Sequence, residues 1–137
     1  MFGQVFGCCI QGVNGCLVEV EVDISRGLPQ IHLVGLPDSA VRESIDRIRA
    51  AIKNTGFPFP QERVTINLAP ADLRKEGSAF DLAIAAGVLT AIGTLSFAEM
   101  ASTLFIGELS LDGKVRPVPG VLAMTVAAKQ AGFRRVI

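Results

Sequence analysis

Asn67-Leu68-Ala69-Pro70-Ala71-Asp72-Leu73-Arg74-Lys75-Glu76-Gly77-Ser78-Ala79-Phe80-Asp81-Leu82-Ala83-Ile84-Ala85-Ala86-Gly87-Val88-Leu89 is the stretch on which the fold turns. Just upstream, Val64, Ile66 and Leu68 alternate with polar Thr65 and Asn67, the period of a half-buried strand. Pro70 has no N–H to give to a ladder and ends that strand. A charged loop follows. From about Phe80 a run of Ala, Leu, Ile and Val reads as a buried helix. Strand, charged glycine loop and helix make an arrangement that carries chemistry in many α/β proteins and is plain connection in many others. Arg74, Lys75, Glu76, Gly77 and Ser78 are therefore a candidate contact loop, with Gly77 expected at a positive φ. Lysines in such a loop are expected to extend into water.

Working outward, 137 residues suit one domain, and a hydrophobic fraction of 50% allows a sizeable core. Thirteen basic side chains balance thirteen acidic ones. That balance argues against a global field for nucleic acid or membrane and leaves local patches open. Cys8, Cys9 and Cys16 form no C-x-x-C pair; they read as small core residues of a reducing compartment. Cys8 and Cys9, adjacent in a strand, should face opposite ways. The apolar run Leu82–Leu95 is short for a bilayer and reads as a core helix. With no secretory signal pattern, the expectation is a cytoplasmic protein without membrane contact. Arg134-Arg135-Val136-Ile137 reads as a strand just begun, so the chain is expected to be the N-terminal piece of a longer protein.

Taken in order, Met1 to Ile10 reads as a strand and Asn14-Gly15 as a hairpin turn. In Cys16 to Ile24, Leu17, Val18, Val20, Val22 and Ile24 are apolar, with Glu19, Glu21 and Asp23 opposite, which predicts a half-exposed antiparallel strand. Gln30 to Leu36 is a third strand. It carries the single histidine, His32, which has no partner nearby in sequence and reads as structural. Asp38 is the expected N-cap of a helix whose stripe is Val41, Ile45, Ile48 and Ile52. Arg42, Arg47, Arg49 and Lys53, mixed with Glu43 and Asp46, read as its solvated surface. Gly56 is the expected residue just past that helix. Leu104 to Leu109 reads as one strand, Asp112-Gly113 as a hairpin turn, Lys114 to Val118 as the return and Val121 to Ala131 as a last helix.

No G-x-x-x-x-G-K-[ST] occurs, so nothing here cradles ATP phosphates. H-E-x-x-H and G-x-S-x-G are also absent. Ser78 would need a base, and Lys75 and Lys114 are the lysines on offer, at spacings diagnostic of nothing.

Val34-Gly35-Leu36-Pro37-Asp38-Ser39-Ala40-Val41-Arg42-Glu43-Ser44 and Asn67 through Gly77 together resemble the N-terminal domain of the magnesium-chelatase-like AAA+ ATPases, the ComM/YifB family. The resemblance covers nearly the whole chain. It implies an α/β (α+β) fold, a mixed sheet with packed helices like domain 2 of ribosomal protein S5 and the Lon proteolytic domain. Residues 1–137 would be a single Lon-like N-terminal domain, with an AAA+ ATPase domain beyond residue 137. Glu76-Gly77-Ser78-Ala79 resembles the Lon loop that holds the catalytic serine. Gly107 through Gly120 resembles the segment before the catalytic lysine. Counted without gaps, the serine position falls on Ala79 and the lysine position on Leu122. Neither side chain can perform its step. The implied reading is a protease-like scaffold without protease chemistry, with Leu122 expected to be at least partly buried facing Ala79.

The resemblance further implies no catalytic, cofactor or metal site in this chain. ATP and Mg²⁺ would be used by the AAA+ domain of a ring-shaped homo-oligomer, a hexamer, that moves DNA in recombination and natural transformation. The partners implied are that AAA+ domain, further copies and DNA. Two other readings remain open: a magnesium-chelatase subunit acting on a porphyrin, and an active Ser-Lys peptidase, against which Ala79 and Leu122 argue.

Overall fold

In a computed structural model describing residues 1–137, β1 (Phe2–Gln11) and β2 (Asn14–Ser25) form a long antiparallel hairpin. Its turn is Gly12-Val13, not Asn14-Gly15: Gln11 pairs with Asn14, and Gly12 takes φ +63°. A glycine at the first central position is what a tight two-residue turn requires. Gly15 serves another purpose. A Cβ there would lie 2.7 Å from the carbonyl oxygen of Ala123, on the helix packed above it.

β3 (Gln30–Val34) runs parallel to β4 (Arg63–Ala69), and the connection between them is α1 (Ser39–Asn54). β4 pairs antiparallel with β2. α2 (Asp81–Ala91) follows β4, as expected from the central run. The segment expected as one strand, Leu104–Leu109, is divided into β5 (Thr103–Leu104) and β6 (Glu108–Leu109). Between them the Phe105 amide binds Phe6 and the Gly107 amide binds Ala79, so the chain leaves the main sheet to meet the start of α2. β6 pairs with β7 (Val115–Arg116) around Asp112-Gly113. α3 (Val121–Gln130) and β8 (Arg135–Val136) complete the chain. The main sheet has the order β3-β4-β2-β1-β5-β8, mixed parallel and antiparallel. This is the expected α/β class, with three helices on a mixed sheet.

Strand alternation divides the core in two. Val5, Cys9, Val18, Val20, Val22, Ile66 and Leu68 pack with α1 and α2 in the larger cluster. Cys8, Leu104, Ile106, Met124 and Ala128 form the smaller one under α3. Adjacent Cys8 and Cys9 therefore do face opposite ways. Beyond α3, the second face of β2 and β4 keeps its polar groups, and Asn67 Nδ2 donates to Glu21 Oε1 at 2.9 Å. No helix is long and apolar enough to cross a membrane.

Arg47 is not the solvated surface residue expected. Its Nε donates to Asp81 Oδ2 at 2.7 Å and its Nη2 to Asp81 Oδ1 at 3.0 Å. The Asp81 side chain is fully buried and also accepts the Leu109 amide at 2.9 Å. One carboxylate thus joins α1, α2 and β6. Alternating charge along α1 gave no sign of it, because the partner lies 34 residues away. A bidentate guanidinium is the fit such a buried carboxylate needs. Replacing Arg47 by Met strands that carboxylate without a counterion. We expect Arg47→Met to lower unfolding stability in urea by about 3 kcal/mol, and Arg42→Met, on the solvated side, to change it by under about 0.5 kcal/mol.

Candidate functional site

The two motifs that carry the family resemblance lie side by side. The Lys75 amide donates to the Leu36 carbonyl at 3.0 Å, and the Asp38 amide donates to the Lys75 carbonyl at 2.9 Å. Pro37 and Lys75 thereby form a short parallel bridge. Asp38 then acts twice. Its Oδ1 accepts the Val41 amide at 2.8 Å, the expected N-cap of α1, and its Oδ2 accepts the Gly77 amide at 3.2 Å. Gly77 sits at φ +87° with open space around it, as expected. Gly35 permits the approach: a Cβ there would stand 2.1 Å from the Leu68 carbonyl oxygen. Contacts this close exclude any other residue.

Lys75 corrects the expectation of an extended loop lysine. Its side chain is 0% exposed and its Nζ donates to the Pro70 carbonyl. The clasp on Leu36 and Asp38 draws the loop inward and takes the lysine stem with it. Burial pushes the Lys75 pKa below the usual lysine range, opposed by Cys9 and Asp72 nearby. Burial also pushes the Cys9 thiol up to about 11, so it stays protonated at neutral pH. A protonated buried thiol is neither a nucleophile nor a metal ligand.

Beside this clasp is a cavity of about 390 Å³ whose lining includes Cys9, Asp38, Gly77, Ser78, Ala79 and Met124. Ala79 is buried there, but Leu122 is not opposite it: Leu122 is 79% exposed on the outer side of α3. Met124, 2% exposed, is the α3 residue that shares both the cavity and a core cluster with Ala79. Two residues along a helix amount to about 200° of rotation, which turns one of them away from whatever the other faces. A gapless count along the sequence cannot see that rotation. The Met124–Ala128 spacing of i, i+4 was the available signal for the buried face.

Little acid–base chemistry is available at this cavity. The Lys75 amine is directed at Pro70 rather than at Ser78 Oγ. Both Asp38 oxygens are occupied by backbone amides. Arg74 and Glu76 pair at 3.5 Å in water, a contact that adds little stability. Lys114 is equally remote from the task, paired at 3.7 Å with Asp112 at the β6–β7 turn. His32 is exposed, with Nε2 3.1 Å from Gln30 Oε1, and takes no part. No group of three His, Cys, Asp or Glu side chains converges as a metal site would require.

A mixed sheet thus carries a partly open cleft of mixed polar and apolar lining between the β4–α2 loop and α3. Residues 20–137 match the family described as subunit ChlI of Mg-chelatase, and the chain belongs to that family. An uncharacterised protein of Mycobacterium tuberculosis is 50% identical over 98% of this chain and 27% of its own length. The uncharacterised protein YifB of Escherichia coli is 45% identical over 92% of the chain and 25% of its own length. Competence protein ComM of Haemophilus influenzae is 44% identical over 97% of the chain and 26% of its own length. A more distant likeness, 27% identity over 98% of the chain and 27% of the relative, is to Lon protease 2 of Bacillus subtilis. The chain spans about a quarter of the length of the curated relatives it matches.

The buried lysine has a pH signature. Its folded pKa lies below the unfolded value of 10.5, so the folded state holds the proton less tightly. The resulting penalty is complete below the folded pKa and fades as pH rises toward 10.5. Lys75→Met removes the penalty at every pH, and the Pro70 carbonyl keeps the Leu73 amide. We expect the variant to equal or exceed the parent in urea stability at neutral pH, with the difference shifting toward the parent near about pH 10. A difference independent of pH contradicts the buried-ammonium account.

Proposed function

We propose that this chain is the accessory domain of a magnesium-chelatase-like AAA+ ATPase that moves DNA, and that its protease-like cleft is an inactive scaffold for assembly or DNA contact. The observation that carries the reading is the cleft itself. The Lon-like pattern calls for a serine at Ala79, which is buried, and for a lysine at Leu122, which is turned to solvent. A Ser-Lys dyad requires an oxygen nucleophile and an amine within hydrogen-bond reach, and neither side chain supplies one. What such a cleft retains is shape.

The DNA part of the reading is supported by likeness to a protein named for competence. In this reading ATP and Mg²⁺ are used by an AAA+ domain of the same protein, six copies assemble as a cytoplasmic ring, and branched DNA is the material moved. The family description also supports a second reading, a subunit that inserts magnesium into a porphyrin. The two separate in one assay. The parent protein is expected to hydrolyse ATP faster with branched DNA present and to leave porphyrin metal-free. Metallation with no response to DNA would support the chelatase instead. A fluorophosphonate probe should label neither Ser78 nor any other residue; labelling at Ser78, lost on replacing Lys75, would reinstate the peptidase.

A further inference from the structure

β3 is an edge strand. One side pairs with β4 and the other meets no strand. An open edge of this kind offers a row of backbone N–H and C=O groups to an incoming chain, and proteins usually blunt it with lysine, proline or a bulge. Gln30–Val34 contains no lysine, no proline and no break in its register with β4.

The edge also has a wall. Ile31 and Leu33 point to the α1 side of the sheet and are only partly covered by the core. Along α1, Ile45, Arg49 and Lys53 follow one another at four-residue spacing, which puts them on one face. Between strand and helix is a cavity of about 190 Å³ lined in part by Ile31, Arg49, Lys53, Phe59 and Glu62. The Arg49 guanidinium lies 5.6 Å over the Phe59 ring. Neither Arg49 nor Lys53 has a carboxylate within ion-pair distance, Glu62 included; the ion pairs of the chain are Arg47–Asp81, Arg74–Glu76 and Lys114–Asp112.

We propose that the β3 edge and the adjoining face of α1 form a docking groove for an extended acidic peptide segment. The segment adds a strand to β3 and places a carboxylate at Arg49 and Lys53. The backbone row supplies affinity and the alternate side chains supply selection. Those on the helix side meet Ile31, Leu33 and the two cations, and a carboxylate suits a guanidinium already held against an aromatic ring. At about 3.3 Å per residue, five residues of β3 pair with about five of the segment.

Other occupants fit less well. A second copy adding its own Gln30–Val34 brings no carboxylate, so both cations stay unpaired. A nucleic acid cannot use the backbone row. The proposal is independent of the DNA-motor reading and stands or falls without it.

The test uses this chain and a fluorescein-labelled peptide of alternating Val and Thr with two glutamates on one face. Its control carries lysines in place of the glutamates. Anisotropy should show saturable binding at about micromolar concentration, weakened at least about tenfold for the control and for Arg49→Glu/Lys53→Glu. Both substituted residues are exposed, so the variant's thermal unfolding serves as the folding check. Amide exchange at Gln30–Val34 should slow in the complex. Equal binding of the two peptides, no saturation, or unchanged exchange at β3 overturns the proposal. So does displacement of the peptide by oligothymidylate, or β3-mediated dimerisation in sedimentation without peptide.

Discussion

Asp38 and the loop it grips hold the rest of this structure in place. A single carboxylate caps α1 with one oxygen and binds the Gly77 amide with the other, while Lys75 exchanges backbone hydrogen bonds with Leu36 and Asp38. The β3–α1 turn and the β4–α2 loop thus become one unit. A charge-assisted bond to a backbone amide is among the stronger interactions open to a folded chain. Here it fixes the entry angle of two helices at once. Gly35, too close to Leu68 to carry a side chain, and Gly77, at a positive φ, are the local conditions for that grip.

The same grip accounts for the fate of the cleft. It pulls Lys75 below the surface and turns its amine to the Pro70 carbonyl. Ser78 is left beside a cavity with no amine directed at it, and Ala79 is buried in one cluster with Met124. The loop thus serves as a packing element.

Much of this was legible in the sequence, for physical reasons that can be named. Period-two alternation exposed β2 and β4, and helical spacing exposed Val41, Ile48 and Ile52, because each pattern is imposed locally by one buried face. Asp38 and Gly77 were legible because caps and positive φ restrict residue type. The misses depend on tertiary contacts. Asn14-Gly15 read as a turn, but Gly15 answers to α3 more than a hundred residues later, as the Ala123 carbonyl shows. Arg47 read as surface, and its partner Asp81 hid within an apolar run. Leu122 was placed by counting, and the rotation of α3 sent it outward and Met124 in. Lys75 gave no local sign of burial at all.

The central claim is that the Leu36–Asp38 and Lys75–Gly77 segments form one clasp on which the β4–α2 loop depends. Residue-resolved amide hydrogen exchange of the parent chain and of Asp38→Ala tests it most directly. The account predicts that the Asp38, Lys75 and Gly77 amides are protected together in the parent. It predicts that Asp38→Ala releases the Gly77 amide and weakens protection at Lys75, while the β1–β2 hairpin stays protected. Exchange of Lys75 and Gly77 at the free-chain rate in the parent, or protection indifferent to Asp38→Ala, would contradict it.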